Sequence, residues 1–503
     1  MKRTIKLLLV LSLFLLGCNS KKEKIEIIDD NYRNVYEIFV ASFNDSDGDR
    51  VGDLNGVTEK LDYIQDMGYT AIWFMPIHKS SSYHKYDVID YYSIDKSYGT
   101  LEDFDKLIEE AHKRDIHIIL DLVINHTSSS HPYFQEAKAR YLQGSYSQYI
   151  SWYVFNNEGG QGFTKIGEDK YYESRFVDTM PDLNLDSDEV REEIVNIMNF
   201  WIEKGVDGFR LDAVTSYYTD NMSKNVEFLS WLNTEAKKLK EDIYIVGEAW
   251  TSDKEIEKCY ESGIDSFFHF SYAQADGTIA KCMKIAGPRN YYKKALANAI
   301  DITKGHIPAI FLDNHDMNRI TGGIGRSRID KLKFAYGLAG MFNGCLYTYY
   351  GTEIGMVGSG KDENKRIAML WGDGEELCKN PSGTTEAEYV YPGVNEQLQD
   401  ETSLLNYHKA INYLRNKYPE IMRGDITYYD HLFSSKQLAF EKEWNDNKVL
   451  IVINFEESEA VSLDISLIGD YKKCEGIATS GEEITFENNT LNLPPYAIAI
   501  LSN

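Results

Sequence analysis

The chain has 503 residues, 43% of them apolar, and carries 79 Asp and Glu against 53 Lys and Arg, a formal charge of −26. That length exceeds what one hydrophobic core normally organises, so two or three structural units are expected. The acid excess argues against nucleic acid or an acidic polymer as partner, because phosphate binding needs a basic footprint, and makes a neutral ligand the natural complement.

At the N-terminus Lys2, Arg3 and Lys6 accompany an apolar run from Leu7 to Leu16 that is too short to span a bilayer. It reads as an export signal. Leu15-Leu16-Gly17-Cys18 resembles the bacterial lipobox, in which the Cys is lipidated and becomes the mature N-terminus. An ordinary secretory signal with an incidental Cys is the alternative. Residues 1–18 are therefore expected to be a lipoprotein signal peptide and residues 19–31 a tether. The protein would be exported and lipid-anchored at a bacterial cell surface or periplasm, with the N-terminal lipid its one membrane contact. Cys259, Cys282, Cys345, Cys378 and Cys474 are odd in number and widely spaced, so neither a disulfide framework nor a zinc site is expected.

The segment Asp45-Ser46-Asp47-Gly48-Asp49-Arg50-Val51-Gly52-Asp53 sets acids at alternate positions among glycines. This pattern fits a calcium loop or a solvated acidic turn. It is not an EF-hand, because the twelfth position is Gly56 rather than Glu.

From residue 35 to about 415 short apolar strands alternate with amphipathic helices. The strands fall at 35–40, 71–77, 117–124, 208–212, 243–248, 266–270, 307–312 and 344–350. Several are apolar throughout, as parallel strands covered on both faces should be. A helix over Val57 to Met67 stops at Gly68, Thr100 caps the next, and Asp186-x-x-Glu189 opens one that runs to Lys204. Eight strands with interleaved helices predict an α/β fold, a (β/α)8 TIM barrel over 32–126 and 187–418. Residues 127–186, rich in Tyr, Ser and Gly, break the rhythm after strand three and predict an inserted B subdomain. Beyond the last helix the period changes to two, at Gln437 to Glu441, Lys448 to Phe455, Ala460 to Ile465, Glu483 to Glu487 and Tyr496 to Leu501. That predicts a C-terminal antiparallel β-sandwich over 419–503.

Three of the barrel strands end on carboxylates: Asp212, Glu248 and Asp316. Desolvating an acid is costly unless it is paired, so acids at three strand ends point to one shared site and to acid–base or nucleophilic chemistry. Arg210 lies two residues before Asp212 and shares its face, which keeps that acid ionised as a nucleophile needs. A purely structural Arg–Asp pair is the alternative. Glu248 follows Gly247 on an apolar strand, where a raised pKa suits a general acid.

The ordered motifs Asp121-Leu122-Val123-Ile124-Asn125-His126, Gly208-Phe209-Arg210-Leu211-Asp212-Ala213-Val214, Gly247-Glu248-Ala249-Trp250 and Phe311-Leu312-Asp313-Asn314-His315-Asp316 resemble those of the α-amylase family of glycoside hydrolases. Flanking Tyr36-Glu37-Ile38-Phe39, His84-Lys85-Tyr86-Asp87, Met180-Pro181-Asp182-Leu183-Asn184 and Tyr349-Tyr350-Gly351-Thr352-Glu353 match as well, so the likeness covers roughly 32–503. The resemblance implies Asp212 as nucleophile, Glu248 as acid/base and Asp316 as transition-state stabiliser, with the first two ~5–5.5 Å apart for retention. It implies that Arg210, His126 and His315 hydrogen-bond the sugar and that Tyr86 stacks on it, with His84 and Asp87 nearby. Trp250 divides between a sugar platform and simple packing.

The acidic loop is similar to one that binds structural Ca²⁺ in oligo-1,6-glucosidase-like members, through Asp45, Asp47, Asp49, Asp53 and the Val51 carbonyl here. Thr215-Ser216 stand where many members have Lys-His, which leaves open a second calcium site that would use Asn125. The implied activity is that of a retaining α-glucan hydrolase, an α-amylase that cleaves α-1,4 bonds of starch or maltooligosaccharides; the sequence does not fix the oligomeric state, and a monomer is favoured. An exo-acting α-glucosidase or oligo-1,6-glucosidase is the nearest rival, then a transglycosylase, and most remotely a non-catalytic glycan-binding lipoprotein.

Overall fold

The computed structural model describes residues 25–324 and 326–503. The signal segment, Cys18 and residues 19–24 of the expected tether lie outside the described residues. Eight parallel strands close into a barrel: β1 (Asn34–Ile38), β2 (Ala71–Phe74), β3 (His117–Leu122), β4 (Gly208–Leu211), β5 (Tyr244–Gly247), β6 (Ser266–Phe268), β7 (Ile307–Phe311) and β8 (Cys345–Tyr349). Each pairs with its sequence neighbours and β8 closes on β1, with Asn34 opposite Leu346.

Two cores explain the continuous hydrophobicity of these strands. Inward-facing Val35, Trp73, Ile119, Tyr244, Phe268, Phe311 and Tyr347 fill the barrel. Residues of opposite parity, such as Tyr36, Ile72, Ile118, Phe209 and Ile245, pack outward against the helices. Alternation by two assigns each side chain to one core or the other.

The helix expected over Val57 to Met67 is two segments, Leu54–Glu59 and Leu61–Asp66, interrupted at Lys60. It begins three residues early because the Asp53 side chain caps it, accepting the Gly56 N–H. Ser187, rather than Asp186, caps the helix Asp188–Glu203 by accepting the Val190 N–H. Asp186 instead takes Lys224 and the Tyr218 hydroxyl. Thr100 and Asp103 form the reciprocal cap of Leu101–His112.

The interval after β3 contains a helix, Pro132–Gln143, that its composition concealed, and a three-stranded sheet of Phe155–Asn156, Phe163–Gly167 and Lys170–Glu173. Bridges from His126 to Asp182 and from Tyr153 to Leu183 fasten it beside the barrel's C-terminal rim. The C-terminal region forms a five-stranded and a three-stranded antiparallel sheet. It includes Asp425–Tyr428, Lys473–Ala478 and Thr490–Leu493, which the period-two pattern had not marked.

Helix Leu404–Lys417 joins the two regions. One apolar cluster contains Tyr407, Ile411 and Leu414 together with Leu438, Ile451 and Ile498 of the sheet. Arg415, buried in this seam, donates to Asn34 Oδ1 at 2.7 Å and to the carbonyls of Phe342 at 3.1 Å and Gly344 at 2.7 Å. These bonds tie the starts of β1 and β8 to the last helix. All five described cysteines are free thiols.

Candidate active site

The pleat that fills the barrel also assembles its rim. Inward Val35 is followed two residues later by Glu37, Ile119 by Asp121 and Val246 by Glu248, while Arg210 and Asp212 occupy the same register on β4. The chain therefore passes from apolar to charged as each strand reaches the C-terminal end.

Arg210 is the hub. Fully buried, its Nη1 donates to Asp212 Oδ1 at 2.8 Å and to both oxygens of Asp121 at 2.9 Å, and its Nη2 lies 2.9 Å from Glu248 Oε2. One cation cannot neutralise three carboxylates in a dry site, so a proton stays among them. Burial first, then the charges of Asp212 and Asp316, push Glu248 up to about 7 against the pull of Arg210. Burial also pushes Asp121 up to about 7. The two differ in what surrounds them. Asp121 accepts from Arg210 on both oxygens and from the Tyr86 hydroxyl at 3.0 Å, an environment suited to an anion. Among the described residues Glu248 adds to its Arg210 contact only the Ala213 N–H, at 2.9 Å. The exchangeable proton accordingly belongs to Glu248.

Ala213 adopts a left-handed conformation, φ 46°, which turns its N–H onto Glu248 directly after Asp212. Such a backbone costs a non-glycine residue about 1–2 kcal/mol. The Val214 N–H on the Glu248 carbonyl, at 3.1 Å, reinforces the tie between the ends of β4 and β5.

Asp316 is held by two cations. Its Oδ2 lies 3.0 Å from His315 Nε2 and its Oδ1 accepts from Arg366 Nη2 at 2.9 Å. Burial would raise its pKa; His315 and Arg366 outweigh burial and hold the carboxyl well below the usual range. His315 in turn has Nδ1 2.5 Å from Glu37 Oε1. Burial disfavours its charge, yet the flanking Asp316 and Glu37 raise it to about 9.

The expected sugar-contacting residues divide into two groups. Tyr86 stacks on His315 with centroids 5.6 Å apart, and its hydroxyl lies 2.7 Å from His315 Nε2. His126 is buried with Nε2 3.2 Å from the Tyr86 carbonyl, and its ring meets Phe176 of the insertion. His84 accepts the Tyr86 N–H on Nδ1 at 3.1 Å. The buried Asp87 carboxylate accepts from the hydroxyls of Ser80, Ser81 and Ser82. Trp250 is 53% exposed and lies flat on Phe270, with 11° between the rings. Sequence reasoning gave no role to Asp121, Glu37 or Arg366. The first two could have been found by continuing the inward register from Ile119 and Val35; Arg366 comes from a loop with no periodicity.

The acidic loop brings carboxylate oxygens of Asp45, Asp47 and Asp49 within 4.8 Å of one another. Asp45 already accepts the N–H groups of Asp47, Gly48 and Arg50. Val51 lies on the same loop with its N–H on Asp49. Asp53 stands apart, bonded to Gly56 and Ser46. An all-oxygen, anionic donor set suits a hard cation such as Ca²⁺.

A barrel rim that gathers Asp212 and Glu248 on one guanidinium is an arrangement suited to two-carboxylate hydrolysis. Comparison with known proteins agrees. The family profile described as Alpha amylase, catalytic domain, matches residues 37–424, and Maltogenic Amylase, C-terminal domain, matches residues 432–500. Alpha-amylase 3 of Dictyoglomus thermophilum is 39% identical, over 85% of this chain and 86% of its own. The solved structure of Eubacterium rectale Amy13B is 41% identical, with TM-score 0.90 over 96% of this chain and 97% of that one. The α-amylase structure from H. orenii is 33% identical, with TM-score 0.80 over 94% and 100% of the two chains. An oligo-1,6-glucosidase of Bacillus cereus is 27% identical, over 85% of this chain and 91% of its own. The chain belongs to the α-amylase family and is a glycoside hydrolase.

The protonation pattern predicts the pH profile. A group that must donate a proton works below its pKa, and that of Glu248 is raised to about 7. Activity should therefore fall as pH rises through about 7, with a limb in kcat/KM that is missing from the residual activity of Glu248→Gln. A basic limb retained in that variant would exclude Glu248 as its source.

Proposed function

We propose that the protein hydrolyses α-1,4-glucosidic bonds of starch or maltooligosaccharides with retention of configuration. The supporting observation is the guanidinium of Arg210, which lies against both Asp212 and Glu248 while burial raises Glu248 to about 7. Asp212 attacks the anomeric carbon as the bond to the leaving oxygen breaks, and Glu248 gives that oxygen its proton. A glycosyl ester of Asp212 results. Water then attacks the same carbon, Glu248 takes back a proton, and Asp212 departs as a carboxylate. Asp316, held by His315 and Arg366, binds sugar hydroxyls most tightly in the oxocarbenium-like transition state.

The likeness to relatives named α-amylase supports the α-amylase reading. The relatives named oligo-1,6-glucosidase and glucan 1,6-alpha-glucosidase keep exo action as the second reading. Early products from a long linear glucan decide between them. Mixed oligosaccharides are expected; glucose alone from the first time point would refute the α-amylase reading.

The loop at Asp45, Asp47 and Asp49 holds a structural Ca²⁺ in this proposal, with Asp53 and the Val51 carbonyl completing the set after local rearrangement. Chelation should lower the thermal midpoint and added Ca²⁺ should restore it, and Asp47→Asn should weaken both responses. An unchanged midpoint under chelation would refute the metal.

Cys18 would carry the lipid that anchors the exported protein. Among the described residues no helix is long and apolar enough to cross a membrane. Cys18→Ala should move activity from the membrane fraction to the soluble one; retention on the membrane would refute lipidation there.

A further inference from the structure

Glu37 is the least expected group in the site. It is fully buried at the inward position of β1, and no step of the proposed reaction uses it. Its Oε1 is 2.5 Å from Nδ1 of His315, whose Nε2 is 3.0 Å from Asp316 Oδ2. The three groups form an acid–imidazole–acid chain running from the barrel interior to the rim. A histidine's partner at one nitrogen decides what the other nitrogen presents. With a carboxylate at each nitrogen the imidazole is doubly protonated, its Nδ1–H directed at Glu37 and its Nε2–H at Asp316, with the Tyr86 hydroxyl 2.7 Å from Nε2.

We propose that Glu37 is a positioning residue for the glycosidase reaction: through its contact with Nδ1 it keeps His315 a doubly protonated donor, and so keeps Asp316 ionised and aimed at the sugar. The proposal rests on the reading of Asp316 as the transition-state stabiliser.

The surroundings of His315 support a charged imidazole. Asp316 adjoins it in sequence, Glu37 reaches it from β1, and Asp121 on β3 adds a further acid that its charge favours. The rings of Trp73 and Tyr349 flank it, and the Tyr86 hydroxyl is 2.7 Å away. The charges of Arg366 and Arg210 also favour an ionised Asp316. Burial alone favours a neutral Glu37, but an imidazole between two carboxylates is the stronger base and takes the proton. Without the Glu37 charge, Asp316 alone must hold the His315 proton, and His315 loses it at lower pH.

Glu37→Gln preserves the shape of the side chain and removes its charge. The readout is kcat/KM on a maltooligosaccharide across pH, for wild type and variant. At about pH 5 the variant should lie within roughly threefold of wild type, and by about pH 8 it should fall about tenfold further behind, with its basic limb moved to lower pH. A ratio of variant to wild type that is constant across pH would overturn the proposal, since a packing role would lower activity evenly. If Glu37→Gln does not fold, Glu37→Asp weakens the same contact and should move the limb in the same direction by less; an unmoved limb overturns the proposal there too. Asp316→Asn separates the two levels. Retained activity in that variant would refute the stabiliser role itself, whereas an inactive Asp316→Asn beside a constant Glu37→Gln ratio would refute only the role of Glu37.

Discussion

The site depends on one buried cation shared by several acids. Arg210 reaches Asp121, Asp212 and Glu248 within 2.9 Å while none of the four is open to solvent. In water such a cluster would be worth little, because exposed ion pairs are screened and pay side-chain entropy. In the barrel rim the low dielectric makes each contact strong and an uncompensated charge expensive. Excess negative charge over one guanidinium leaves a proton behind, and that proton is the reagent an acid catalyst needs. The same residue thus fixes the geometry and, in the proposed reaction, divides the labour.

Around that hub the fold supplies orientation with little freedom. Arg210 and Asp212 project inward because they lie two apart on β4, and Glu248 extends the inward row of Tyr244 and Val246 on β5. The left-handed turn at Ala213 then binds the two strand ends, its N–H on one acid immediately after the other. On the opposite wall, His315 and Arg366 form a second cationic arm for Asp316. The insertion contributes Phe176 against His126, so it helps shape the mouth as well as covering the barrel. The C-terminal sheets share a core with the last barrel helix, which makes them a brace for β1 and β8 through Arg415.

Much of this was legible in the chain. Strands buried on both faces announce themselves as apolar runs, and a carboxylate at the end of such a run is hard to explain structurally, so Asp212, Glu248 and Asp316 stood out. Harder to read were features set by tertiary contact. Asp53 was expected as a loop acid, and its side chain also caps a helix, a role with the same residue preference. Ser187 and Asp186 are both good caps, and only the Lys224 and Tyr218 partners of Asp186 decide between them. Asp87 was expected near the sugar, and no local pattern announced that three serines upstream bond its oxygens. Arg366 lies 50 residues from Asp316 on an aperiodic loop, where no local pattern could announce the contact. Lys473–Ala478 lacked a clean alternation because one of its faces is only partly covered.

The division of labour between Asp212 and Glu248 is open to direct observation. A fluorinated α-glycosyl fluoride slows release of the covalent intermediate, and mass-spectrometric peptide mapping then locates the sugar. The account predicts a glycosyl ester on the peptide carrying Asp212 and none on those carrying Glu248 or Asp316. An adduct on either of those acids, or complete turnover with inversion and no adduct, would contradict it.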